Sequence, residues 1–202
     1  MAVREYRSPL RERRAADTRR RIVTAAGELF AEVGFAATTV AGIAERAGVA
    51  APTVYATLGS KGAIVQALLE RIEEDADAAA ARAALAAEND PRHKLALFAQ
   101  WHRRLYAAGR GVMAAAVDAG ADPTVREMRA HGDRRAHEWH AELVGDLRTG
   151  AALRPGLTDE KAVDAVWALC GPELYLRVRS CDWSDDDYEA WLADLLVAQL
   201  LG

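Results

Sequence analysis

The amino-acid sequence predicts an all-α protein, and three observations carry that reading. Apolar residues recur at steps of three and four along nearly the whole chain, the spacing of one helix face. Alanine dominates the hydrophobic residues, which make up 51% of the 202, while aromatics are only 6% and β-branched residues are sparse. That balance supplies a packed core but not the Val, Ile and aromatic content of a sheet protein. Glycines, prolines and short hydroxyl or acidic residues fall at helix-length intervals, where caps and stops belong.

The elements follow in order. Ile22, Ala26, Leu29, Phe30 and Val33 line one face of a first helix that stops at Gly34. Thr38 or Thr39 caps a second helix, Val40 to Ala47, which Gly48 ends. A third, about seven residues long, carries Pro52 in its first turn, where a missing N–H costs nothing, and ends at Gly59. Ser60 caps a fourth that starts at Lys61, passes Ile64, Leu68 and Ile72, and runs through an alanine tract to Asn89-Asp90-Pro91. Read as one piece it is a rod of roughly 40 Å at 1.5 Å per residue. Further helices are expected at 92–108, at 111–119 between glycines, and from Asp122-Pro123 to Thr149. Thr158 caps the next, kinked at Pro172 and continuing to Arg179, and Ser184 with Asp187 reads as a capping box for the last. The expectation is nine helices and no strand.

Charge is informative once it is split. Residues 1–62 hold ten Lys and Arg against six Asp and Glu, whereas the remainder is acidic, so a net charge of −4 hides a basic head. Eight arginines lie in the first 21 residues. Such asymmetry suggests a polyanionic partner at one end. Residues 1–15 read as a flexible basic arm, either a disordered solubilising tail or a segment that follows a minor groove. No apolar run approaches the roughly 20 residues that span a bilayer, and none resembling a signal peptide follows the N-terminal charges. The expectation is a cytoplasmic protein without membrane attachment. Two cysteines, Cys170 and Cys181, are too few for a disulfide framework or a zinc site.

The second and third helices are joined by Ala47-Gly48-Val49-Ala50, a tight turn with glycine. That is a helix-turn-helix, whose second helix enters the major groove. Small residues at its front, Ala51 and Pro52, let the helix end approach base edges. Thr53 offers a hydroxyl and a methyl for base readout. Tyr55 and Lys61, with the hydroxyls of Thr38 and Thr39, suit backbone phosphates. Thr57 completes the exposed set, while Val54 and Leu58 face inward.

These residues carry a resemblance. Gly34-Phe35, Thr38-Thr39-Val40, Ile43-Ala44, Ala47-Gly48-Val49, Thr53-Val54-Tyr55 and Ser60-Lys61, with the apolar first helix, resemble the N-terminal domain of the tetracycline-repressor (TetR) family over about 55 residues. The resemblance implies a TetR-like fold: residues 16–62 as DNA-binding domain, and 63–202 as a helical domain that binds a small molecule and dimerises through its last two helices. Two positions depart from the family's habit. Ala50 replaces a frequent serine, removing a helix cap. Thr57-Leu58 stands where an aromatic or His followed by Phe is common. Base preference is therefore not transferable from relatives.

Within the second domain, Trp101, His102, Leu105, Met113, Trp139, Trp167 and Cys170 are the expected effector-binding residues, since ligand cavities are apolar and aromatic with a few polar anchors. Tyr188, Trp191, Leu192, Leu195, Leu196 and Gln199 form a stripe on the last helix wide enough for a homodimer interface. His137 and His140, near His131 and Asp133, read as solvated surface, because no zinc-type spacing is completed. No cofactor is implied. An enzyme finds no support, since P-loop, GxSxG and HExxH patterns are all missing. The functional expectation is a repressor of double-stranded operator DNA released by a small molecule. The alternative is a DNA-binding protein without inducer, whose second domain serves dimerisation or a protein partner.

Overall fold

A computed structural model describes residues 9–202. Its described residues form ten helices: α1 (Pro9–Ala37), α2 (Val40–Ala47), α3 (Ala51–Leu58), α4 (Lys61–Asp75), α5 (Ala78–Ala87), α6 (Pro91–Asp118), α7 (Pro123–Thr149), α8 (Asp159–Leu169), α9 (Pro172–Arg179) and α10 (Asp185–Leu200). No strand occurs among them. A single bridge pairs Leu153 with Leu201. Among the described residues no helix is long and apolar enough to cross a membrane.

Two apolar cores organise the helices. The first gathers Ile22, Ala26 and Phe30 of α1 with Ile43 of α2, Val54 of α3 and Ile64 of α4. The second is built by α6, α7, α8, α9 and α10, around Phe98, Val144, Val166, Tyr175 and Leu192. Helix α6 belongs to both, because its C-terminal half reaches back over α1.

The helix count differs from expectation in three places, each with a local cause. The rod from Lys61 to the Asn89 break is two helices. Asp77 adopts φ 55°, a left-handed conformation that Asp tolerates better than most residues. The bend buries Leu85, the lone large apolar side chain of the alanine tract, in the α6 core. Conversely, the segments expected at 92–108 and 111–119 are one helix. Gly109 and Gly111 are contact points rather than stops. A Cβ on Gly111 would lie 2.5 Å from the Cβ of Ala31, and one on Gly109 would lie 3.0 Å from two carbons of Ile72. Without those Cβ atoms α6 can press directly on α1 and α4. Finally, the expected kink at Pro172 is a full break at Cys170-Gly171, separating α8 from α9.

Helix α1 reaches back to Pro9, with Gly34 (φ 79°) interrupting it near its end. Residues 10–15 of the expected flexible arm are therefore helical and exposed. Residues 1–8 of that arm lie outside the described residues.

Candidate functional site

The helix-turn-helix is closed by backbone chemistry. Gly48 takes φ 63°, where a side chain would be strained, and its N–H returns to the carbonyls of Ala44 and Glu45. Arg21 of α1 donates to the carbonyls of Ala47 and Gly48, so the turn is tied to the first helix. Arg46 forks onto Glu32 at 2.8 Å and reaches Glu28 at 3.3 Å, fastening α2 to α1 a second time. None of these arginines was singled out in the sequence. Arg21 sits in a run of like charges with nothing local to distinguish it.

Helix α3 presents its expected face. Pro52 is exposed, and Thr53 is partly covered. Tyr55 is 55% exposed, unusual for a large aromatic. Val54 and Leu58 are buried. Ala51 is partly buried against the first core. Ala50 makes no side-chain cap.

Other expected DNA contacts are already engaged within the protein. Thr38 is 4% exposed, and its hydroxyl donates to the Gly34 carbonyl at 2.8 Å, so it is a structural tether and not a phosphate ligand. Its position just past the Gly34 interruption leaves a carbonyl that needs a donor. Thr39 is exposed, and its oxygen accepts from Gly42 N–H at 3.0 Å as the α2 cap. Thr57 donates to the Thr53 carbonyl at 2.7 Å. Lys61 donates to the Phe35 carbonyl and lies 3.9 Å from that ring's centroid. Partial burial lowers its pKa, against an opposing pull from Asp122.

Behind this domain lies a partly open cavity of about 210 Å³, walled by α4, α5, α6, α7 and the α8–α9 break. Trp101, His102, Leu105, Met113, Trp139, Trp167 and Cys170, chosen from sequence, all line it. Tyr106, Met128 and His140 line it as well and were not chosen. His140, expected on a solvated surface, is 2% exposed. The charged residues around it hid its inward register. Trp167 is both a wall residue and 47% exposed.

The wall is an aromatic cluster. Trp101 and Trp139 meet edge to face with centroids 4.2 Å apart, and His102 stacks parallel to Trp139 at 5.9 Å. Arg82 of α5 lies over the Trp139 ring, 5.6 Å from its centroid. Burial pushes the His102 pKa down to about 4, partly opposed by its bond to the Phe98 carbonyl. Burial pushes His140 down to about 3, helped by the neighbouring His102 and His137. Both rings are therefore neutral near pH 7. Burial also raises the Cys170 thiol pKa, keeping it protonated. Tyr106 donates to the Cys170 carbonyl, tying α6 to the α8–α9 break. Among the described residues no group of three or more His, Cys, Asp or Glu could hold a metal ion.

The stripe on α10 divides. Tyr188, Leu192 and Leu196 are fully buried in their own chain, so these three are core and not interface. Their four-residue spacing is one face of the helix, packed along α6. Trp191, Leu195 and Gln199 occupy the adjacent row; the first two are half-buried and Gln199 is exposed. Trp183, 37% exposed, meets Trp191 edge to face at 5.7 Å.

Comparison with known proteins agrees with this architecture. Residues 22–68 match the family described as bacterial regulatory proteins, tetR family. Over 77 residues the chain is 40% identical to the HTH-type transcriptional regulator TtgR of Pseudomonas putida, covering 38% of this chain. The match spans only 37% of that curated relative's length. Whole-chain likeness comes from solved structures. NalD, the secondary repressor of the MexAB-OprM multidrug efflux pump in Pseudomonas aeruginosa, has a TM-score of 0.71 at 21% identity, over 93% of this chain and 98% of its own. SmeT in complex with triclosan has a TM-score of 0.73 at 24% identity, over 92% of each chain. At such identities the likeness speaks for the fold alone. The family's proteins are regulators rather than enzymes. Residues 22–68, which hold the helix-turn-helix, are thus similar to the tetR family of bacterial regulatory proteins, and the helices around them share the fold of NalD and SmeT.

Proposed function

We propose that the protein is a ligand-responsive transcriptional repressor, binding a near-palindromic operator as a homodimer and released when a small apolar or aromatic molecule enters the cavity. The observation that carries this reading is a shared wall. Ile72 belongs to the core of the DNA-binding domain and lines the cavity, while Leu105 and Met113 line it and pack against both cores. A molecule that displaces these side chains acts directly on the packing that orients α1 and α4. SmeT, with triclosan bound, and NalD, described as a repressor, support the ligand and the sign of regulation.

Two-fold pairing follows from the geometry of the task, since a dimer presents two recognition helices to two half-sites one helical turn apart. Trp191, Leu195 and Gln199 are the residues of α10 left for that pairing. Tyr55 and Thr53 are the groups of α3 best placed for phosphate and base contact. Lys61 joins them once its ammonium turns from Phe35 to a phosphate.

The test is a ligand titration with and without operator DNA, read by the fluorescence of Trp101 and Trp139. Coupling between the sites is reciprocal, so the operator should weaken ligand binding by the factor the ligand weakens operator binding, roughly 1–3 kcal/mol. Equal ligand affinity in both titrations would sink the inducer reading.

A further inference from the structure

The cavity wall holds polar atoms that the protein itself does not use. The Trp101 indole nitrogen and both ring nitrogens of His140 are buried without a hydrogen-bond partner. His102, 3% exposed, donates from Nδ1 to the Phe98 carbonyl at 2.9 Å. That bond fixes the tautomer, so the remaining nitrogen, Nε2, carries a lone pair and no proton. The Trp101 and His102 rings meet edge to face with centroids 4.8 Å apart, and the His140 ring lies 6.1 Å from that of His102. Unpartnered polar groups in an interior are uncommon and each carries a desolvation cost. Trp101, His102 and His140 all line the one cavity.

We propose that the effector is an uncharged aromatic molecule of about two fused rings bearing a hydroxyl group, which donates to Nε2 of His102 and accepts from the Trp101 N–H, with His140 as a further neutral partner. This rests on the cavity being the effector site. A hydroxyl satisfies a lone pair and an N–H at once; an ether or a bare ring does not. A carboxylate has no proton for Nε2, so it would have to pair with Arg82 on the same wall and leave that lone pair without a donor. A cation would need a free acidic side chain on the wall, but Glu73 is paired with Arg135 at 2.9 Å and Asp133 is exposed. Size agrees: a cavity of about 150 Å³ accepts one benzene, and this one holds about 210 Å³.

The experiment is calorimetry on the full chain with four probes sharing one ring system: 2-naphthol, 2-methoxynaphthalene, naphthalene and 2-naphthoate. The expected order places 2-naphthol about tenfold or more ahead of the methoxy and unsubstituted rings, with 2-naphthoate weakest. His102→Phe should bring 2-naphthol down to the level of 2-methoxynaphthalene and leave naphthalene binding in place. If 2-naphthol and 2-methoxynaphthalene bind the wild-type protein equally, or 2-naphthoate binds best, the hydroxyl-bearing effector is overturned while the cavity remains a ligand site. If none of the four binds, the cavity reading falls as well. The wild-type series decides the matter even where His102→Phe does not fold.

Discussion

Lowering the pH should destabilise this protein well before its carboxylates protonate, because two imidazoles are buried neutral. His102 is 3% exposed with its pKa pushed down to about 4, and His140 is 2% exposed with its pKa pushed down to about 3. Against an unfolded value of 6.5, the unfolded chain binds more protons than the folded one below that pH. The stabilisation is therefore complete above pH 6.5 and is lost as pH falls toward the folded values. Between pH 7 and pH 5 each histidine withdraws about 2 kcal/mol. Both folded values lie below 5, so this figure hardly depends on how far below they lie. Together the loss is roughly 4 kcal/mol, a large share of the 5–15 kcal/mol that holds a typical domain together. Glu32, Glu88 and Asp187, whose pKa values are lowered by hydrogen bonds, give up their stabilisation only as pH falls through their unfolded values of 4.5 and 3.8, below this window. The assay is urea unfolding followed by circular dichroism at both pH values and one protein concentration. His140→Phe, which removes one titration and two unpartnered nitrogens, should halve the pH slope. Stability that changes by less than about 1 kcal/mol, or a slope unaltered in His140→Phe, would refute the reasoning.

Two further outcomes follow from the contacts. Tyr55→Ala should weaken operator binding alike for all sequences, whereas Thr53→Ala should relax preference at one base position by about 1 kcal/mol or more, as a binding-site selection on both variants would show. Gly111→Val should lower the melting temperature by the equivalent of about 1–3 kcal/mol of overpacking, because its Cβ would fall 2.5 Å from that of Ala31; a neutral effect would mean that α6 and α1 separate freely.

The punctuation that chemistry makes local was legible in the sequence. Gly48 at the turn, the Thr39 and Ser60 caps and the Ser184–Asp187 box are each settled within a few residues, and each lies where its residue type demands. What failed was punctuation decided at a distance. Gly109 and Gly111 look like stops, yet they are absorbed into one helix because Ile72 and Ala31 lie across from them. The alanine tract looks continuous, yet it bends at Asp77 because burying Leu85 outweighs one strained residue.

The site divides along the same line. Trp101, Trp139 and Met113 do line the cavity, although Trp and Met at helical spacing are more often plain core, and here they also pack into or against the second core. Periodicity does not say which of two adjacent rows on a helix meets its own chain. On α10 the row of Tyr188, Leu192 and Leu196 and the row of Trp191, Leu195 and Gln199 are equally regular, and only the position of α6 separates the fully buried row from the partly exposed one. His140 repeats the lesson on α7, where a charged neighbourhood surrounds a ring that points inward. Inward-facing polar groups of this kind are the part of a cavity wall that sequence conceals most. In water their partners are always available, so nothing in the chain around them has to change to accommodate them. Only in the folded chain does the lack of a partner distinguish His140 from an ordinary histidine.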